Sequence, residues 1–229
     1  MRSICVAVAA LGASALVAQA GVFSFSSGTR AASVSFLKDG TNLKVRLTNT
    51  SASDVLVPVD ILTGVFFSVD GPALSLTRVS AKLAPGSIVT NGLSPAGGVV
   101  GGEWAYKATS LPGGHKYGIS SSGLGFFGPG DRFAGDNLEG PADPDGPQFG
   151  IASAGDNPAT HNGGANVGLI QNSVDFVLSG LPDGFNLDRI TSVRFQYGTA
   201  TDEPSFDVPT PGALALLGLG GLVTMRRRR

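Results

Sequence analysis

Val34-Ser35-Phe36-Leu37-Lys38-Asp39-Gly40-Thr41-Asn42-Leu43-Lys44-Val45-Arg46-Leu47-Thr48 decides the fold. From Leu43 to Thr48, apolar and polar residues alternate strictly. That spacing puts Leu43, Val45 and Leu47 on one face of a strand and Lys44, Arg46 and Thr48 on the other. Asp39-Gly40 is a hairpin signal. With those two residues at the tip, the expected register pairs Phe36 with Leu43 and Val34 with Val45. The apolar residues of both strands then share one face, and a slip of one residue would turn them outward.

The same reasoning extends outward along the chain. Residues 61 to 69 contain Val65, Phe66 and Phe67 and stop at Asp70-Gly71-Pro72, which predicts a buried strand closed by a turn, with residues 74 to 83 as its expected partner. Further on, Val174, Phe176 and Leu178 alternate with Asp175 and Val177, and Val193, Phe195 and Tyr197 alternate with Arg194 and Gln196. Pro182-Asp183-Gly184 marks a turn between these two runs. Composition agrees. Only 14% of the 229 residues are charged and 34 are glycine, so turns are abundant and the ion pairs that support helices are scarce. The expected class is all-β, an antiparallel β-sandwich of jelly-roll-like or Ig-like kind in which early and late strands share the core.

Residues 92 to 164 differ in character, holding 19 of the 34 glycines with few β-branched runs. They predict a long Gly-rich loop region, functional or flexible. Trp104, Tyr106, Phe126 and Phe127 are its candidate attachments to the sandwich. Trp104 has two readings, a core or lid residue and an exposed platform for a sugar ring.

Both ends of the chain read as sorting segments. Met1 and Arg2 precede an apolar stretch over residues 4 to 18, and Ala18-Gln19-Ala20 has the small-x-small form of a signal-peptidase site, so the mature chain is expected to begin at Gly21. The alternative is an N-terminal membrane helix, for which the run is short. Cys5, the single cysteine, would leave with the signal, and the mature domain would then depend on its core rather than on disulfides. At the other end stand Val208, Pro209, Thr210, Pro211 and Gly212, then an apolar run over residues 213 to 225, then Arg226, Arg227, Arg228 and Arg229. As a helix that run would span about 20 Å, against a hydrocarbon core of about 30 Å. The arginines would stay on the cytoplasmic side, giving a transient inner-membrane insertion suited to later cutting. The alternative is a buried helix with a solvated basic end. The expected organisation is a signal peptide over 1–20, an extracellular β domain over 21–206 and a sorting signal over 207–229.

The order of proline-containing motif, short Leu/Gly/Ala helix and terminal arginines resembles the PEP-CTERM sorting signal of bacterial exosortase-dependent surface proteins, with Thr210 standing where the family name has glutamate. Stretches of the body are similar to one group of those proteins: Gly102-Glu103-Trp104-Ala105-Tyr106, Gly118-Ile119-Ser120-Ser121-Ser122-Gly123, Phe127-Gly128-Pro129-Gly130-Asp131-Arg132-Phe133, Ser179-Gly180-Leu181-Pro182 and Phe195-Gln196-Tyr197-Gly198-Thr199. The resemblance implies processing by signal peptidase and an exosortase-type enzyme. It also implies sorting to the envelope or extracellular matrix of a Gram-negative bacterium, commonly alongside exopolysaccharide. It brings no established catalytic activity.

Candidate chemistry in the body is sparse. Asp131, Asp136, Asp143, Asp145 and Asp156 fall within 26 residues, and Asp143-Pro144-Asp145-Gly146 has the alternating carboxylates of a calcium loop. Counted from Asp143, however, the twelfth position is Ala154, where an EF-hand needs glutamate. Solvated aspartates opening Asx turns are the other reading. His115 and His161 both lie beside glycine pairs, in loops that look flexible, and no Gly-x-Ser-x-Gly elbow accompanies them. Residues 21 to 208 carry eleven lysines and arginines against seventeen aspartates and glutamates, a net charge of −6, which disfavours nucleic acid. The expected protein is a non-enzymatic surface component without cofactors, with extracellular polysaccharide as a candidate partner. The alternatives are a carbohydrate-binding or calcium-dependent adhesion module and, more remotely, a secreted hydrolase.

Overall fold

The computed structural model describes residues 21 to 142 and 144 to 210. Ala18, Ala20, Asp143, Pro211, Gly212 and Arg226 to Arg229 lie outside the described residues, as do the expected signal and tail helices. Thirteen strands follow in order: β1 (Gly21–Ser27), β2 (Arg30–Asp39), β3 (Asn42–Asn49), β4 (Leu62–Val69), β5 (Thr77–Leu83), β6 (Ile88–Thr90), β7 (Ala105–Ala108), β8 (Tyr117–Ser120), β9 (Ile151–Ala152), β10 (Leu169–Gln171), β11 (Ser173–Ser179), β12 (Ile190–Tyr197) and β13 (Ser205–Pro209). They form a five-stranded sheet in the order β1-β2-β3-β11-β5 and an eight-stranded sheet in the order β13-β12-β4-β9-β10-β6, with β8 paired to β4 and β7 paired to β8. All pairings are antiparallel except β9 with β10. The all-β class read from the sequence is the class observed.

Alternation builds the core. Along β3, Leu43, Val45 and Leu47 are buried while Lys44 and Arg46 are exposed. Rings from the two sheets meet between them: Phe36 lies 5.2 Å from Phe67, Phe25 lies 5.1 Å from Phe195, and Trp104 lies 5.0 Å from Phe176. Each fully buried large apolar side chain contributes about 2 kcal/mol.

The deciding hairpin forms, but its register differs from expectation. Phe36 pairs with Val45 and Val34 with Leu47, because Asp39 pairs with Asn42 and the tip is Gly40-Thr41. Gly40 takes φ +61° at the first central position, where a primed hairpin turn favours glycine. The shift is two residues, one full pleat period, so the buried set stays buried.

Two further expectations are corrected. Residues 74 to 83 do not partner β4, because β12 occupies one flank of β4 and β8 and β9 the other. Instead, the segment after Asp70 carries the chain to the five-stranded sheet, where β5 pairs with β11. Arg189 fixes this crossover: its Nε donates to the Asp70 carbonyl at 2.7 Å and its Nη2 to the Pro72 carbonyl at 3.0 Å. Nor is the span from 92 to 164 one long loop, since it contributes β7, β8 and β9 to the eight-stranded sheet. Its glycines permit close packing. Gly101 and Gly102 are buried, and a β-carbon on either would overlap the carbonyl oxygen of Ala134 or Asp136 respectively.

Candidate functional site

The described part of the expected sorting motif, Val208 to Thr210, begins inside the fold. Along β13, Pro209 pairs with Ser192, Val208 with Val193 and Phe206 with Phe195. Beyond the strand, Thr210 donates to the Thr191 carbonyl twice, from its amide at 2.9 Å and its hydroxyl at 2.7 Å. Val208, Pro209 and Thr210 are therefore laid along β12, and β13 runs across the expected boundary between 206 and 207. Pro209 suits the end of an edge strand, where its missing N–H removes no ladder bond. At the other end, Gly21 opens β1 and pairs with Phe36, so the expected mature N-terminus coincides with the first residue of the first strand. The first and last strands also touch, Phe25 stacking on Phe206 with centroids 4.3 Å apart and planes inclined by 18°.

Asp207, on the same last strand, anchors a cluster that sequence reasoning missed. Its Oδ2 accepts from Arg194 Nη1 at 2.7 Å, and its Oδ1 lies 3.0 Å from His115 Nε2. His115 Nδ1 in turn lies 3.1 Å from Ser68 Oγ. A serine, a histidine and an aspartate are thus joined in one chain of hydrogen bonds. With the proton on Nε2, the ring donates to Asp207 and accepts from the Ser68 hydroxyl. The histidine is only 2% exposed, however, and the aspartate, whose side chain is 53% exposed, is shared with Arg194, so the imidazole is closed off from solvent while the carboxylate lies at the surface in an ion pair. What it does physically is fasten β13 to β4 and to the turn before β8. His115 is accordingly no flexible-loop histidine. Its partners lie 47 and 92 residues away, which leaves no local signal by which the sequence could have revealed them. His161 is exposed on a separate turn with φ +54°.

The described acidic residues Asp131, Asp145 and Asp156 each accept hydrogen bonds from the protein itself. Asp131 accepts from Lys107 Nζ and from the Gly128 amide, each at 3.0 Å. Asp145 accepts from the Gly146 amide at 2.9 Å and from Gln148 Nε2 at 3.1 Å. Asp156, buried, accepts from the Val55 amide and from Asn162 Nδ2, both at 2.7 Å. These bonds cap turns, form an ion pair with Lys107 and tie Asp156 to the distant Val55 segment, and among the described residues no three His, Cys, Asp or Glu side chains are grouped for a cation. Trp104 is fully buried, with its indole Nε1 donating to the Phe149 carbonyl at 3.1 Å, which removes the sugar-platform reading in favour of the core one. Beside it, buried Glu103 accepts from the Leu138 amide and, at 3.2 Å, from the Glu139 amide. Burial pushes its carboxyl above the usual range, and those two bonds pull the other way.

One open groove of about 480 Å³ lies on the five-stranded sheet, lined by Ser35, Leu37, Lys44 and Val177 around a two-point ion pair. In that pair Arg46 Nε reaches Asp175 Oδ1 at 2.6 Å and its Nη2 reaches Oδ2 at 2.8 Å. Among the described residues, no helix is long and apolar enough to cross a membrane. No family model, curated protein or solved structure matches the chain.

Proposed function

We propose that the chain is a non-enzymatic surface or extracellular-matrix protein, exported through an N-terminal signal and sorted by an exosortase-type enzyme acting on its C-terminal tail. On this reading it resides in the envelope of a Gram-negative bacterium, in association with exopolysaccharide, and its body is a β-sandwich of jelly-roll-like or Ig-like kind. The observation that carries the reading is the order of segments from the end of β13 onward: Pro209-Thr210-Pro211, an apolar run too short to span firmly, and Arg226 to Arg229. The fold is compatible with it. The first strand opens at Gly21 and the last ends at Pro209, so both cuts would fall at the margins of the described body and leave its core whole. The burial of His115 and the sharing of Asp207 with Arg194 favour a structural use of Ser68, His115 and Asp207 over hydrolysis.

The test is mass spectrometry of envelope, membrane and medium fractions from producing cells. The wild-type product should begin at Gly21 and lack the terminal arginines. Deleting Arg226 to Arg229 should release unprocessed protein from the membrane, whereas changing Pro209 and Pro211 to alanine should retain a membrane-bound precursor. Abundant, normally localised protein still ending at Arg229 would overturn the processing model.

A further inference from the structure

The strand edges of the two sheets are not equally protected. Long unpaired edges invite pairing with another chain, and folded proteins usually blunt them with charge, proline, a bulge or a cover. The edge of β5 carries Arg78 and Lys82, has a register shift, and is met by the Val100 amide, which donates to the Ala81 carbonyl at 3.0 Å. The outer side of β7 is met by the Phe133 amide, which donates to the Trp104 carbonyl just before the strand at 2.8 Å. The strand β6 has three residues, and β13 has five, including Asp207 and Pro209. By contrast β1 has seven residues, Gly-Val-Phe-Ser-Phe-Ser-Ser, with no charge and no proline, and it pairs with β2 over all seven without a bulge. It is the one long, plain edge among the described residues.

We propose that β1 is a self-association edge at which a second copy of this chain adds its own β1, antiparallel and about a two-fold axis, joining two five-stranded sheets into one. The strand is complementary to itself. Pairing centred on Ser24 sets Ser24 opposite its copy and Val22, which is 49% exposed, opposite Ser26 of the second copy. On the inner face it sets Phe23 opposite Phe25 of the second copy, extending the aromatic layer that already includes Phe36, Phe195 and Phe206. No like charges meet anywhere along the seam, and a two-fold contact uses the same edge on both copies, so assembly closes at the dimer. The proposal is independent of how the tail is processed.

Sedimentation of the protein purified from producing cells, from low to high micromolar concentration, tests it. The wild type is expected to form a concentration-dependent dimer. Ser24→Lys, which would set two lysines directly opposite one another, should weaken association at least about tenfold, and Ser26→Lys on the same edge should act in the same direction. Leu93→Lys, at a 68% exposed apolar residue remote from β1, should leave the dimer intact. Thermal melts establish that each variant is folded, and either lysine variant alone suffices. A monomer at every concentration, a dimer that survives the β1 variants or is abolished by Leu93→Lys, or an open-ended polymer would each overturn the proposal.

Discussion

The hairpin of β2 and β3 and the Gly-rich span from 92 to 164 solve the same problem by different means. In the hairpin, side chains do the work: alternate residues face the core, and a turn glycine only lets the chain reverse. In the Gly-rich span the backbone itself is packed. Gly101 and Gly102 lie against the carbonyls of the segment from 134 to 136, and Gly118 lies under Leu111, Phe127 and Phe66. The contrast teaches that a glycine-dense, pattern-poor stretch can be as deeply built into a fold as an alternating strand, provided that large side chains close over the exposed backbone. Trp104, held by the Phe149 carbonyl and by the ring of Phe176, is the principal one.

The sharpest way to break this comparison is Trp104→Ala. If the Gly-rich span is core, the substitution should destabilise the protein by about 4 kcal/mol in urea unfolding, as deletion of a large buried aromatic does. A loss under about 1 kcal/mol would mean that the span is an appendage after all.

Next in size comes a pair of glycine substitutions. Gly102→Ala would drive a β-carbon into the Asp136 carbonyl and should destabilise by about 2–3 kcal/mol. Gly128→Ala, with nothing within 4 Å of the new atom, should stay within about 0.5 kcal/mol of the wild type. Equal melting temperatures for the two variants would refute the claim that close backbone approach is what these glycines provide.

A smaller, pH-dependent effect is expected at Glu103. Its folded carboxyl holds the proton more tightly than the unfolded one, so this group's contribution is fully present below the ordinary carboxylate range and is lost as pH rises through the raised folded value. Glu103→Gln removes that titration. Its melting temperature relative to wild type should therefore improve as pH rises from the acid side to neutrality, and a difference independent of pH across that window would contradict the assignment.

The smallest effect belongs to Tyr106, whose hydroxyl is buried without a hydrogen-bond partner among the described residues. Burial pushes its ionisation well above the ordinary tyrosine range. Tyr106→Phe should be neutral or stabilising by up to about 1 kcal/mol, since the lost group makes no bond. A clear destabilisation in the same urea assay would show that the hydroxyl has a partner.

How much was legible follows from the same contrast. The faces of β3, β11 and β12 could be read because alternation is a local code, and a buried face repeats every second residue whatever lies opposite. The hairpin's two-residue offset shows the limit of that code: the pattern is unchanged by a full pleat period, so only the φ of Gly40 and the pairing of Asp39 with Asn42 select the register. The crossover after Asp70 was hidden because the turn residues announce a reversal without saying which sheet receives the chain. The receiving partner is β11, about a hundred residues later, and Arg189 braces the turn that leads there. For the site, the docking of Pro209 and Thr210 on β12 was not legible, because it depends on Thr191 and Ser192, nearly twenty residues earlier.

By itself, then, the sequence determined the all-β class and the inward-facing residues of the alternating strands, because each is written in neighbouring residues whose spacing has a direct physical meaning. Tertiary structure alone decided that the Gly-rich middle is core, that Trp104 is inside, and that β5 belongs with β11. It alone brought Ser68, His115 and Asp207 into one hydrogen-bonded chain. Those outcomes depend on which distant surfaces remain unpaired once the local elements have formed, and burial and backbone hydrogen bonding must be satisfied over the whole domain at once.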